Sequence, residues 1–156
     1  MIKISKHVSY KEATRSITAK RLGIDNAPTE EHANNMIILA ENIFEPLRSH
    51  VSKPICINSM YRSEALNKAV GGSMTSQHCK GQAMDIDDKY GHATNAEMFE
   101  FIRDNLDFDQ MIWEFGNSEN PDWVHVSYVS EKKNRNKMLK AYKNNGKTAY
   151  KVIKWE

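Results

Sequence analysis

Cysteine is scarce in this chain. Cys56 and Cys79 are the only two in 156 residues, too few for the disulfide framework that holds many small secreted domains together. Cys56 falls in the apolar run Pro54 to Asn58 and reads as a small buried residue; a bridge to Cys79 cannot be deduced from spacing. Long apolar runs are missing as well. No stretch reaches the roughly eighteen residues of a membrane-spanning helix, and residues 1–20 are largely polar, without the apolar segment of a secretory signal. There is no internal repeat and no low-complexity linker. No recognised nucleic-acid-binding motif organises the Lys and Arg of the C-terminal segment, so neither nucleic acid nor membrane is an expected partner. With 40% hydrophobic residues, what remains is one domain over residues 1–156, long enough to bury a core.

The patterning predicts helices and strands at short spacings. From Thr29 the positions Ala33, Met36, Ile37, Ala40, Ile43, Phe44 and Leu47 follow a helical stripe, and Glu30 with Glu31 suits the positive end of the helix dipole. Ser63 is placed to cap a short helix that Gly71-Gly72 ends, and Thr94 with Glu97 forms a capping box ahead of Met98, Phe99, Phe101 and Ile102. Strands are expected near Pro54 to Ser59, Ala83 to Asp87, Phe108 to Phe115 and Trp123 to Val129. This order predicts an α+β fold, an antiparallel sheet with helices packed on one side.

Three separated residues have the chemistry of metal ligands. His78 lies in Ser76-Gln77-His78-Cys79-Lys80-Gly81-Gln82-Ala83-Met84-Asp85, and His125 in Asp122-Trp123-Val124-His125. Two imidazoles and a carboxylate leave the fourth tetrahedral position of Zn²⁺ open, as catalytic sites do. His78 and Asp85, seven apart, would point to opposite sides of one straight strand, so the chain must bend between them, and Gly81 can supply the bend. Beyond it Ala83, Asp85 and Asp87 share one face, which leaves Asp87 as a rival ligand. Asp122 sits where a turn enters the strand of His125, a suitable place for a general base; Glu114 and Glu119 are rival bases. His7, His32, His50 and His92 lack such a setting and read as structural or surface residues.

Ser-x-His-x-x-Gly-x-Ala-x-Asp at Ser76 to Asp85, followed by Asp-x-x-His at Asp122 to His125, resembles the zinc D,D-carboxypeptidase family of peptidoglycan peptidases, which includes phage endolysins. Tyr61-Arg62-Ser63, Leu66-Asn67 and Val70-Gly71-Gly72 resemble the family block ahead of the first histidine. Gly23 to Asn26 and Glu45-Pro46-Leu47-Arg48 are similar to its lead-in, so the resemblance spans roughly residues 8 to 129. It implies a Hedgehog/D,D-peptidase-like fold, one Zn²⁺ on His78, Asp85 and His125, Asp122 as the base, and Arg62 as a cation beside the scissile carbonyl. It further implies a substrate-binding role for Ser76 and Trp123, the latter at a position that is a second histidine in some members.

The implied substrate is a peptidoglycan stem peptide, cut at a D-alanyl-D-alanine bond, with an L-alanyl-D-glutamate bond as the alternative. A metal-dependent cell-wall-binding module without catalysis is a further reading. Synthesis in a bacterial or phage-infected cytoplasm without a visible signal, then action on the wall or periplasm, is the expected route. Between Glu131 and Glu156 there are nine Lys and Arg against two Glu, a net of +7, while residues 1–130 carry −5. Asn145-Gly146 between two alternating runs predicts that residues 131–156 form a basic hairpin, which would suit an anionic cell-wall polymer.

Overall fold

The computed structural model describes residues 3–154. The chain opens with strands β1 (Lys3–Ser5) and β2 (Val8–Ser9), which pair with each other, followed by short helices α1 (Tyr10–Thr14) and α2 (Ile17–Leu22). Helix α3 (Glu30–Leu39) runs through a π-helical turn at Ala40–Phe44 into α4 (Glu45–Val51). Thereafter come β3 (Cys56–Ser59), α5 (Glu64–Ala69), a 3₁₀ turn at Gln77–Lys80, β4 (Ala83–Asp87), α6 (Asn95–Asn105), β5 (Gln110–Glu114), β6 (Trp123–Ser127), β7 (Lys137–Asn144) and β8 (Lys147–Ile153).

The helix starts at Ser63 and Thr94 follow the expected caps, and Thr29 caps the helix of the long apolar stripe in the same way. Thr29 Oγ1 accepts from His32 N–H, Ser63 Oγ from Leu66 N–H and Thr94 Oγ1 from Glu97 N–H, each satisfying a donor without an intrahelical partner. The expected stripe from Ala33 to Leu47 is buried at Ala33, Met36, Ala40, Ile43, Phe44 and Leu47. It is not one regular helix, however. Pro46 has no N–H and its ring crowds the carbonyl four residues earlier, and the backbone widens into a π turn just ahead of it.

Six strands form one sheet in the order β3-β4-β6-β5-β7-β8. All neighbours are antiparallel except β5 and β7, which run parallel over five register pairs from Gln110↔Lys137 to Glu114↔Ala141. The sheet is therefore mixed and not wholly antiparallel as expected. After β6 the chain steps past β5 to its free edge, guided by Asn136 N–H to Phe108 O and Lys137 N–H to Asp109 O. Asn145 and Gly146 both have positive φ, 52° and 78°, as a two-residue hairpin turn requires, so the expected hairpin is present.

Alternation gives the sheet two different faces. On one, Ile57, Met84, Ile86, Met111, Val124, Val126 and Met138 are buried with Met36, Leu39, Ile43, Phe44 and Leu47 of the α3–α4 segment and Met98, Phe99 and Ile102 of α6. The Phe99 and Trp113 rings meet edge to face at 5.3 Å between centroids. The other face carries Asp85, His125, Ile112, Glu114, Leu139 and Tyr150, and forms the floor of a cleft of about 820 Å³.

Candidate metal centre

His78 reaches this cleft from the 3₁₀ turn. Ser76 caps that turn by accepting from His78 N–H at 3.3 Å, and Gly81 ends it at φ 72°. No side chain fits at Gly81, because a Cβ there would collide with the carbonyl oxygen of His32. The bend thus falls where the spacing demanded it, although His78 itself is in a helical turn and not in extended chain. Asp85 and His125 are register partners across β4 and β6, which puts their side chains on the same face.

The tautomer of His78 follows from its hydrogen bond. Nδ1 lies 2.7 Å from the Met60 carbonyl oxygen, which can only accept, so Nδ1 carries a proton and in the neutral ring Nε2 keeps a lone pair. That Nε2 is buried without a hydrogen-bond partner, 3.4 Å from Asp85 Oδ2. His125 Nδ1 lies 2.9 Å from Asp85 Oδ1. One ligand atom from each of the three residues falls within 4.8 Å of the others. Burial alone would raise the Asp85 carboxyl, but positive charge on His78 and then His125 beside it would hold it well below the usual carboxylate range, a place that a bound cation fills when the imidazoles are neutral. An orphaned imidazole lone pair facing an ionised carboxylate and a second imidazole fits a divalent cation.

The remaining expected residues separate into two groups. Arg62, Ser76 and Trp123 line the cleft with the three ligands. Arg62 N–H donates to the His78 carbonyl at 3.1 Å, which ties the arginine's backbone to the ligand's. Asp122 is not brought into the cleft. It is an exposed residue in the bend before β6, its N–H bonds to the Glu114 carbonyl at 2.8 Å, and the next residue, Trp123, takes the cleft-facing position. Glu114 occupies the place expected of Asp122: it is buried, lines the cleft, and lies on the same face as Ile112, the register partner of His125. Burial pushes its carboxyl up to about 7, with His125 opposing and Asp85 reinforcing the shift.

The rival assignments resolve individually. Asp87 accepts from Asn95 at 2.9 Å and from Asn58 at 3.4 Å, and lies outside the converging group. Glu119 is in the β5–β6 loop, where its N–H bonds to Asn117 Oδ1. His7 contacts Glu45, His32 contacts Tyr61, His50 stacks on Phe101, and His92 contacts the Pro54 carbonyl, so each has a structural partner. Cys56 and Cys79 are both free thiols.

Two positioning residues lay beyond the sequence reading. Asn26 accepts from Ser63 N–H at 2.7 Å and donates to the carbonyls of Tyr61 and Thr14, clamping the chain on both sides of Arg62. Gly72 packs so closely on Asn67 and Arg62 that a Cβ would collide with the Asn67 side chain. Asn26 lies in the lead-in that the family resemblance covers and has no local signal of its own, while Gly72 reads from sequence only as part of the Gly71-Gly72 helix end and not as a packing contact of Arg62.

Two imidazoles and a carboxylate at the floor of an open cleft, with an arginine and a buried carboxyl alongside, form a group that could hold a metal ion as a metallopeptidase does. A family model described as Peptidase M15 matches residues 6–127, and the chain belongs to that family, the D,D-carboxypeptidase and endolysin-type peptidases. No individual curated protein matches the chain.

Proposed function

We propose that this protein is a zinc-dependent peptidase acting on peptidoglycan stem peptides, with a D-alanyl-D-alanine bond as its substrate. The observation that carries the reading is the orphaned Nε2 of His78, converging with Asp85 and His125 beside the buried carboxyl of Glu114. Zinc held by these three residues would polarise the scissile carbonyl and lower the pKa of water toward about 7. Glu114 is the general base: one of its carboxylate oxygens takes the proton from the attacking water and returns it to the leaving amine. A carboxyl raised to about 7 suits both halves of that exchange. Arg62 stabilises negative charge on the carbonyl oxygen, and Ser76 and Trp123 contact the substrate from the cleft walls.

The partner beyond the stem peptide is an anionic cell-wall polymer, met by the lysines of the C-terminal hairpin, and the site of action is the wall. Purified walls incubated with the zinc-loaded protein, with and without chelator, test the central reading. Release of D-alanine that chelator abolishes is the expected result. New L-alanine carboxyl and D-glutamate amino ends would move the cut to that bond, and walls bound but left intact would make the protein a binding module.

A further inference from the structure

Residues beyond 127 lie outside the stretch that the family model matches, yet Leu139, Thr148 and Tyr150 form one wall of the cleft. Glu114 pairs with Ala141, and Ala141 pairs with Tyr150. Register partners share a face, so the Glu114 carboxyl and the Tyr150 ring stand on the same side with only a buried alanine between them. At about 4.8 Å per strand the two backbones are roughly 10 Å apart, a gap the width of one side chain. Ile112, Leu139 and Val152 make a second row by the same pairing, and this one is apolar. Tyr150 and Val152 remain 54% and 59% exposed, so the outer side of the gap is open to a ligand.

Charge restricts what can enter. Glu114 closes the inner end of the gap with a carboxyl, which in its ionised form repels another carboxylate. Of the neighbouring cations, Lys143 is turned to Thr148 Oγ1 at 3.1 Å and to the Phe115 ring at 5.2 Å, and Arg135, which also lines the cleft, is paired with the Asp109 carboxylate at 2.9 Å. The Tyr150 phenol, partly buried though more than half exposed, is pushed up first by that partial burial and then by the negative charge of Glu114, consistent with the two groups facing one gap.

We propose that the β7–β8 hairpin is part of the substrate site, with Tyr150 the platform of a subsite that accepts a neutral aliphatic residue of the substrate and rejects an acidic one. The inference rests on the peptidase reading and specifies its substrate. The hairpin is held by the five-pair ladder to β5, so the platform is fixed relative to Glu114 and does not depend on a mobile loop.

The test uses the full zinc-loaded chain and synthetic stem peptides carrying alanine or glutamate at each position flanking the cut bond. At one of those positions the parent should prefer alanine. Tyr150→Ala should raise KM for the alanine peptide about tenfold, the scale of one lost aromatic contact, with the loss falling on KM more than on kcat. It should also narrow the preference for alanine over glutamate, whereas Tyr150→Phe keeps both. Circular dichroism and zinc content are measured on each variant. A folded, zinc-loaded Tyr150→Ala with the parent's KM and preference overturns the subsite. If the parent cuts none of the peptides, calorimetric binding of the same set separates the two ideas. Binding that Tyr150→Ala weakens about tenfold retains the subsite and removes the catalytic reading, and no binding to the parent removes both.

Discussion

His78 is prepared as a ligand by the protein alone, since the Met60 carbonyl holds the proton of Nδ1 and Nε2 is buried without a hydrogen-bond partner, facing the Asp85 carboxylate. His78→Ala or His125→Ala should therefore abolish stoichiometric zinc, read by metal analysis as a fall from about one equivalent per chain. Glu114→Gln separates holding the metal from moving the proton. It keeps the shape of the side chain, so zinc should stay while hydrolysis falls roughly 10²- to 10⁴-fold, the scale of lost general acid-base help. Asp122→Asn, at an exposed position outside the cleft, should cut close to the parental rate; the reverse pattern would return the base to Asp122. The pH profile provides a second check. A general base works ionised, so the rate should rise with pH through the pKa of Glu114, which burial places at about 7. A cation nearby can only lower a carboxyl's pKa. The ascending limb should thus lie at or below about 7, and a limb well above it would exclude Glu114.

Asp109 works on the scale of elements. Its buried carboxylate accepts from Arg135 Nε and Nη2, both at 2.9 Å, from Arg135 N–H at 3.1 Å and from Gln77 Nε2 at 3.0 Å. One side chain thereby joins the 3₁₀ turn of His78, the start of β5 and the approach to β7. Burial alone would raise this carboxyl, but Arg135 and Gln77 hold it below its ordinary value of 3.8. Because the native state takes up that proton at lower pH than the unfolded chain, the contribution is complete above the ordinary value and is lost as pH falls through the depressed one. Asp109→Asn should cost about 1.5–3 kcal/mol in urea unfolding at neutral pH, the range for hydrogen bonds to a charged group. The gap between parent and variant should shrink below pH 4; a constant gap would mean that packing, not charge, is responsible.

How far such elements could be read from sequence depended on whether their cause was local. The strand Ala83–Asp87 and the Asn145-Gly146 turn are written in alternation and turn chemistry, and both are found. Four residues of 3₁₀ helix carry no periodicity, so the turn holding His78 left only its terminator, Gly81, visible. The displacement of Asp122 was partly legible: alternation carried back from His125 and Trp123 sets Asp122 with Val124, away from the ligand. That Glu114 stands in the cleft depends on β5 pairing beside β6, and the parallel junction of β5 with β7 depends on a crossover. Neither long-range pairing leaves a local trace.

At the scale of the whole molecule, charge and topology constrain each other. The +7 of residues 131–156 opposes the −5 of the rest, yet the segment carrying it is no detachable appendage, since β7 lies between β5 and β8. Deleting residues after Glu131 would strip β5 of a five-pair ladder and uncover the buried Met138 and Ala141 partners. Such a truncation should lose its cooperative denaturant transition, and it cannot test wall binding. Surface substitution can. Lys140 and Lys151 are register partners, and with Lys147 they share the face of the hairpin turned away from Tyr150 and the cleft. Like charges set opposite each other repel, and an external anion would relieve that repulsion. The combined Lys140→Glu, Lys147→Glu and Lys151→Glu variant should retain the parental circular dichroism while sedimenting less with purified walls. The intact protein should release from walls as salt contracts the Debye length from about 8 Å toward about 3 Å at 1 M. Sedimentation indifferent to both salt and the three substitutions would leave the cleft as the protein's hold on the wall and the basic face as solvated surface.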